Sequence, residues 1–130
     1  MKRLISILII FFLIVSIAIF EEIYVNNFIN NLSSKADIVS VCIKENENNL
    51  NIDKINNNFS HLKNFWSKSK KVLSYFINYE KIKTLDESFI KLDIAIKRND
   101  FSLASENIAL IKEYSQFFEF LMGFNLNNLF

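Results

Sequence analysis

Apolar residues follow two patterns along this chain, and the change between them comes near residue 20. From Leu4 to Phe20 the run is continuous, 17 residues with only Ser6 and Ser16 polar. From Phe28 onward apolar positions recur at steps of one, three and four, the spacing of one helix face. The first such stripe is Phe28, Ile29, Leu32, Ala36, Val39 and Ile43, and with no Gly or Pro between Phe20 and Cys42 the opening helix can run straight into it. "KENENNLN" (44–51) breaks the pattern and reads as a loop. A second helix carries Ile55, Phe59, Leu62, Trp66, Ser69, Leu73 and Phe76, with Asp53 placed to cap it. The chain is expected to turn around Tyr79 to Lys83, where Thr84 and Glu87 form a capping box. A third stripe follows at Ile82, Leu85, Phe89, Leu92 and Ile96. "KRND" (97–100) reverses the chain, and Asp100 caps a fourth helix with Ala104, Ile108, Ile111, Phe118 and Leu121 on one face. Gly123, the only glycine, is expected at C′ of that helix.

Stripes of this kind cannot be buried alone, and short connections make neighbouring helices antiparallel, so they predict a bundle. Assembly between chains as a coiled coil is the alternative, but short stripes separated by reversals favour packing within one chain. Composition agrees: one Gly and no Pro leave little material for the turns of a β fold. The fold class expected is all-α, an N-terminal transmembrane helix followed by a small antiparallel bundle of three to four helices.

The continuous run spans about 26 Å as a helix, near the thickness of a bilayer core of about 30 Å. Lys2 and Arg3 precede it and no cation follows until Lys35, so the positive-inside rule puts the N-terminus in the cytoplasm. Residues 1–20 are then a signal-anchor held by membrane lipid through residues 4–20, and residues 21–130 an extracytoplasmic bundle. The competing reading is a signal peptide cleaved after Ala18, at the small-x-small triplet Ser16-Ile17-Ala18. The apolar run continues through Ile19 and Phe20 with no breaker to present that site in extended form, which favours retention. Both readings export the rest of the chain.

Outside the first 20 residues there are 13 basic and 14 acidic side chains, so no long-range field draws nucleic acid or anionic lipid to the exported part. The single Cys42 cannot form an internal disulfide and reads as a small buried hydrophobe.

From Trp66 onward, "FWSKSKKVLSYFINYEKIKTLDESFIKLDIAIKRNDFSLASENIALIKEYSQF" resembles a family of small uncharacterised single-pass proteins of endospore-forming Gram-positive bacteria. That family is catalogued only as a domain of unknown function. The basic start, the membrane segment and the closing "NNLF" share its layout, and residues 66–111 carry the likeness most specifically: Trp66 with Lys70 and Lys71, Tyr79-Glu80, and Asn99-Asp100 before Ala104. The resemblance implies a membrane-anchored helical domain and supplies no activity.

Candidate chemistry is sparse. His61 is the only histidine and Cys42 the only cysteine, so neither a structural zinc site nor a di-iron bundle can be assembled. One glycine excludes a glycine-rich phosphate loop. The expectation is a protein that is not an enzyme and needs no cofactor. "HLKNFWSKSKK" (61–71) sets Trp66, Lys70 and Lys71 as candidate contacts for anionic headgroups or wall polymers, although helical stepping favours a core tryptophan beside a solvated lysine face. "MGFNLNNLF" puts Phe124, Leu129 and Phe130 after the last stripe, either folded across an open bundle end or docked on a membrane-protein partner. The function expected is a membrane-anchored extracytoplasmic interaction or scaffold module; the alternative is a carrier holding an apolar ligand among its fourteen phenylalanines.

Overall fold

The computed structural model describes the backbone of residues 1–46 and 51–127, and the side chains of residues 1–45 and 51–118. Four helices make up the fold: α1 (Lys2–Asn46), α2 (Ile52–Leu73), α3 (Tyr79–Lys97) and α4 (Phe101–Asn127). Among the described residues there is no strand. α1 packs against α2 and α4, and α3 against α4 and α2, which closes an up-down-up-down bundle.

α1 is one helix of 45 residues. Its first 20 side chains stand clear of the protein, and burial starts at Val25. Beyond it Phe28, Ile29, Leu32, Ala36, Val39 and Ile43 are all buried, joined by Cys42 one turn before the end. The stripes read from α2, α3 and the described part of α4 are buried too, from Ile55 to Leu73, Ile82 to Ile96, and Ala104 to Phe118. Phe76 lies past the end of α2 and is half-buried. Leu121 lies in α4 but outside the described side chains.

Several boundaries differ from the expected ones, each for a local reason. α2 starts earlier, with Asn51 rather than Asp53 as its cap: the Asn51 side chain accepts a 3.2 Å hydrogen bond from the Lys54 amide. Asp53 sits instead in the first turn, where its charge meets the positive helix end. The chain reverses at residues 74–78, not at Tyr79 to Lys83. Asn78 caps α3 by accepting a 2.9 Å hydrogen bond from the Glu80 amide, so the helix begins at Tyr79 and brings Ile82 into the core. Thr84 is therefore no cap; its hydroxyl donates to the Glu80 carbonyl inside the helix at 2.8 Å. Lys44 to Asn46 continue α1, while residues 47–50 of the expected loop lie outside the described residues. Gly123 does not end α4, which runs on to Asn127 with no glycine at positive φ. A helical glycine costs only about 1 kcal/mol relative to alanine, and no breaker follows it.

The reversal at 97–100 is as expected at its far side, where the Asp100 carboxylate accepts from the Leu103 amide at 3.1 Å. At its near side Asn99 adopts φ 54°, with its own amide on the Ile96 carbonyl at 3.1 Å and the Asp100 amide on the Ala95 carbonyl at 2.9 Å. That is a Schellman ending with asparagine in the position glycine usually takes. Replacing Asn99 with valine should lower stability by about 1–2 kcal/mol, because a β-branched residue resists the left-handed region. Denaturant unfolding of the detergent-solubilised chain checks this, with Arg98→Val as the control expected to change little.

Candidate functional site

Trp66 is the centre of the described bundle's aromatic packing and only 2% exposed. Its ring stacks on Phe89 of α3, centroids 5.4 Å apart and planes within 1°, and leans on Phe28 of α1 at 6.1 Å. Phe28 stacks in turn on Phe65 at 5.7 Å. A buried indole N–H needs an acceptor. Asp86, one turn before Phe89, supplies it at 2.7 Å, and Lys70 donates to the same oxygen at 3.0 Å. One heptad away on both helices, Lys63 meets Asp93 at 3.1 Å, and Lys97 reaches the same carboxylate oxygen at 3.1 Å. The two acids thus fix the antiparallel register of α2 against α3.

Burial pushes the Asp86 carboxyl up, but the hydrogen bonds from Trp66 and Lys70 and the Lys70 charge outweigh it, leaving the group below its ordinary value. Asp93 is lowered in the same way: burial raises it, and Lys97 and Lys63 together prevail.

Cys42 is buried and its Sγ accepts from the Asn58 amide group at 3.1 Å, while His61 faces solvent. Among the described residues no group of three or more His, Cys, Asp and Glu is arranged to hold a metal.

Two surfaces remain. The first is on α4, where Leu103, Leu110, Tyr114 and Phe117, with the buried Asn107 between them, form a second row beside the buried stripe, each residue one position earlier in sequence. Leu103 and Phe117 are exposed, and so is Ile94 of α3 beside this row, with Ile90 exposed one turn earlier on α3. A groove of about 320 Å³ between α3 and α4 is lined by Lys91, Ile94, Leu103, Glu106, Asn107 and Leu110. This double row was missed in the sequence because the reading stopped at a single stripe.

The second surface is the end of the bundle from which the apolar part of α1 emerges. Tyr24 packs against Phe76 with centroids 6.5 Å apart, which sets the α2–α3 turn level with the first bundle residues of α1. Tyr75 and Tyr79 on either side of Phe76 are 84% and 72% exposed. α4 runs back toward the same end: Lys112 pairs with Asp37 midway along the bundle part of α1, and farther on Phe117 lies under Lys81 at the start of α3, its ring centroid 5.3 Å from the lysine nitrogen.

The candidate contact residues named from sequence are scattered by this arrangement. Trp66 is buried in the core; Lys70 pairs with Asp86 and keeps 38% of its side chain exposed, and Lys71 is exposed. Phe124 lies in α4 with its side chain outside the described set, and Leu129 and Phe130 are outside the described residues altogether. Grooves lined by described residues at Tyr24–Phe65 and at Cys42–Asn58 open at the surface.

One described helix, α1, is long and apolar enough to cross a membrane, and none of its apolar window is buried in the protein. Beyond that window, residues 23–129 match a family described as a domain of unknown function, DUF4363. The chain belongs to this family. The DUF4363 match begins past the apolar run and covers the bundle. No curated protein and no solved structure matches the chain.

The Trp66–Asp86–Lys70 cluster gives a direct test. Asp86→Ala leaves the buried indole N–H without an acceptor and should cost about 1–3 kcal/mol, whereas Asp86→Asn keeps an acceptor and should cost less. Because the Asp86 and Asp93 pKa values are lowered on folding, their stabilisation is complete above the ordinary carboxylate value and is lost as pH falls through the lowered ones. Fluorescence of Trp66, the only tryptophan, should therefore hold its folded signal at mildly acidic pH and change only on stronger acidification.

Proposed function

We propose that this protein is a membrane-tethered interaction module: α1 anchors it in the cell membrane with the N-terminus in the cytoplasm, and the bundle stands on the far side. The observation that carries this reading is the continuity of α1, whose exposed apolar half runs without a break into the half that forms one side of the core. An exposed run of this length is unstable in water and stable in lipid. Retention rather than cleavage after Ala18 is supported by the helical backbone through residues 16–20, since a cleavage site must be presented in extended form. Lys2 and Arg3, with no cation before Lys35, support the orientation.

A non-enzymatic role is supported by what the reactive groups do. Cys42 is packed in the core, Asp86 and Asp93 serve helix register, and His61 faces solvent. The contact surface in this reading is the half-exposed row on α4 with Ile90 and Ile94. It runs alongside α1 and so along the membrane normal, the direction in which a helix of another membrane-anchored protein would stand beside it.

Two measurements test the proposal. In cell fractions, the full chain should survive alkaline washing in the membrane pellet with its N-terminal peptide intact. A protease site inserted at the Arg98–Asn99 turn should be cut by protease added to wall-stripped cells. A soluble chain starting at Ile19, or a protected turn beside an accessible control, overturns it. A photoreactive residue at Leu103 or Phe117 should cross-link a second membrane polypeptide in intact cells, and the same residue at Asn64 should not. Equal labelling at all three positions removes the α4 face as the contact surface.

A further inference from the structure

We infer that the α2–α3 turn is seated in the headgroup layer of the leaflet from which α1 emerges, with Tyr75 and Tyr79 as the residues that enter it. This deepens the tethered reading and rests on it.

Tyr24 is four residues beyond Phe20, the end of the continuous apolar run, so it stands about 6 Å farther along the helix axis. The polar layer on each side of a bilayer core is about 5–8 Å deep. Tyr24 therefore falls within that layer when residues 4–20 fill the core. Its ring is 6.5 Å from that of Phe76, so the turn at residues 74–78 is carried to the same depth. The bundle has no spacer that would lift it clear, because α1 is unbroken and its burial in the bundle begins at Val25.

The chemistry of the turn fits that position. Tyrosine favours the interface because its ring is apolar and its hydroxyl needs water or a headgroup. Elsewhere in the described bundle large apolar residues are mostly turned inward, yet here two tyrosines flank a half-buried Phe76 and point out, 84% and 72% exposed. Residues 71–83 carry three lysines against the single carboxylate of Glu80. Lys81 lies over Phe117, and among the described residues Lys71 and Lys83 have no carboxylate partner, leaving their long stems able to reach phosphate. The two ends of the hairpin differ in this respect: the reversal at residues 97–100, at the opposite end of the bundle, is Lys-Arg-Asn-Asp with no aromatic residue.

The test uses the full chain in vesicles of mixed zwitterionic and anionic phospholipid, with Cys42→Ser as background. Spin labels are placed singly by Ser74→Cys in the turn, Glu80→Cys in the first turn of α3 beside it, Arg98→Cys at the opposite end, and Ile10→Cys in the apolar run. Collision with lipid-soluble oxygen and with a water-soluble nickel chelate then reports depth. The expected result is a label at residue 10 that meets oxygen almost exclusively, and labels at 74 and 80 several-fold less open to the chelate than the label at 98. Adding Tyr75→Ser and Tyr79→Ser should raise chelate access at 74 and 80 and leave residue 10 unchanged. If residue 10 is in lipid but 74 and 80 match 98, the seated turn is wrong and the tether stands. Shielding that persists without the tyrosines overturns their part in the seating, because α1 and the Tyr24–Phe76 contact alone would then hold the turn at that depth. A label at residue 10 that is open to the chelate overturns the tether, and this inference with it.

Discussion

Forty-five residues of unbroken helix join the apolar opening of the chain to the core of its bundle, and the rest of the arrangement follows from that continuity. A helix satisfies its own backbone hydrogen bonds, so it can pass from one surrounding to another without a loop at the boundary. In α1 the surroundings change near Val25. From Leu4 to Phe20 the side chains are apolar all round save Ser6 and Ser16, as in a helix solvated by lipid; from Val25 they are apolar on one stripe, as a helix packed on protein must be. No glycine or proline interrupts the change. If α1 spans a membrane as proposed, anchor and domain are one mechanical element, and the bundle's height and tilt are those of the helix that carries it.

The remaining helices are organised around α1 by apolar packing and by a small number of polar contacts that select register. Leu32, Leu62, Leu85, Leu92 and Ile108 are essentially without exposure, each worth about 1.5–3 kcal/mol in burial. Such packing is tolerant of sliding by one turn. Asp86, shared by Trp66 and Lys70, and Asp93, shared by Lys63 and Lys97, are less tolerant, because a slip would leave a buried indole N–H unpaired. Both acids are partly exposed, so their value lies in choosing one alignment more than in raw stability.

Helices and core faces were legible in the sequence because the stripes are regular: each apolar residue assigned to α1 and α3, and each assigned to α4 up to Phe118, is buried in the structure. Boundaries were less legible. Asn51 and Asn78 cap where Asp53 and Thr84 were expected, since several polar residues near a helix start compete and tertiary burial of Ile82 decides between them. Gly123 misled because glycine marks helix ends only when it takes positive φ, and here it does not. The candidate surfaces were the least legible. Tyr75 and Tyr79 gain meaning only from their height beside Tyr24, and the second row of α4 only from the gap beside α3; both are relations between distant segments. Trp66 showed the opposite: its place in the stripe pointed to the core, and the partner that keeps it there, Asp86, was beyond the reach of spacing.

The central claim is that α1 crosses the boundary between lipid and bundle as one rigid helix. Paired spin labels introduced by Phe12→Cys and Asn30→Cys, with Cys42 replaced, measure this directly in lipid nanodiscs. The account predicts a single narrow distance distribution for two sites about 27 Å apart along the axis. A broad distribution, or one centred well below that separation, would mean that the helix breaks or hinges at the boundary and would contradict it.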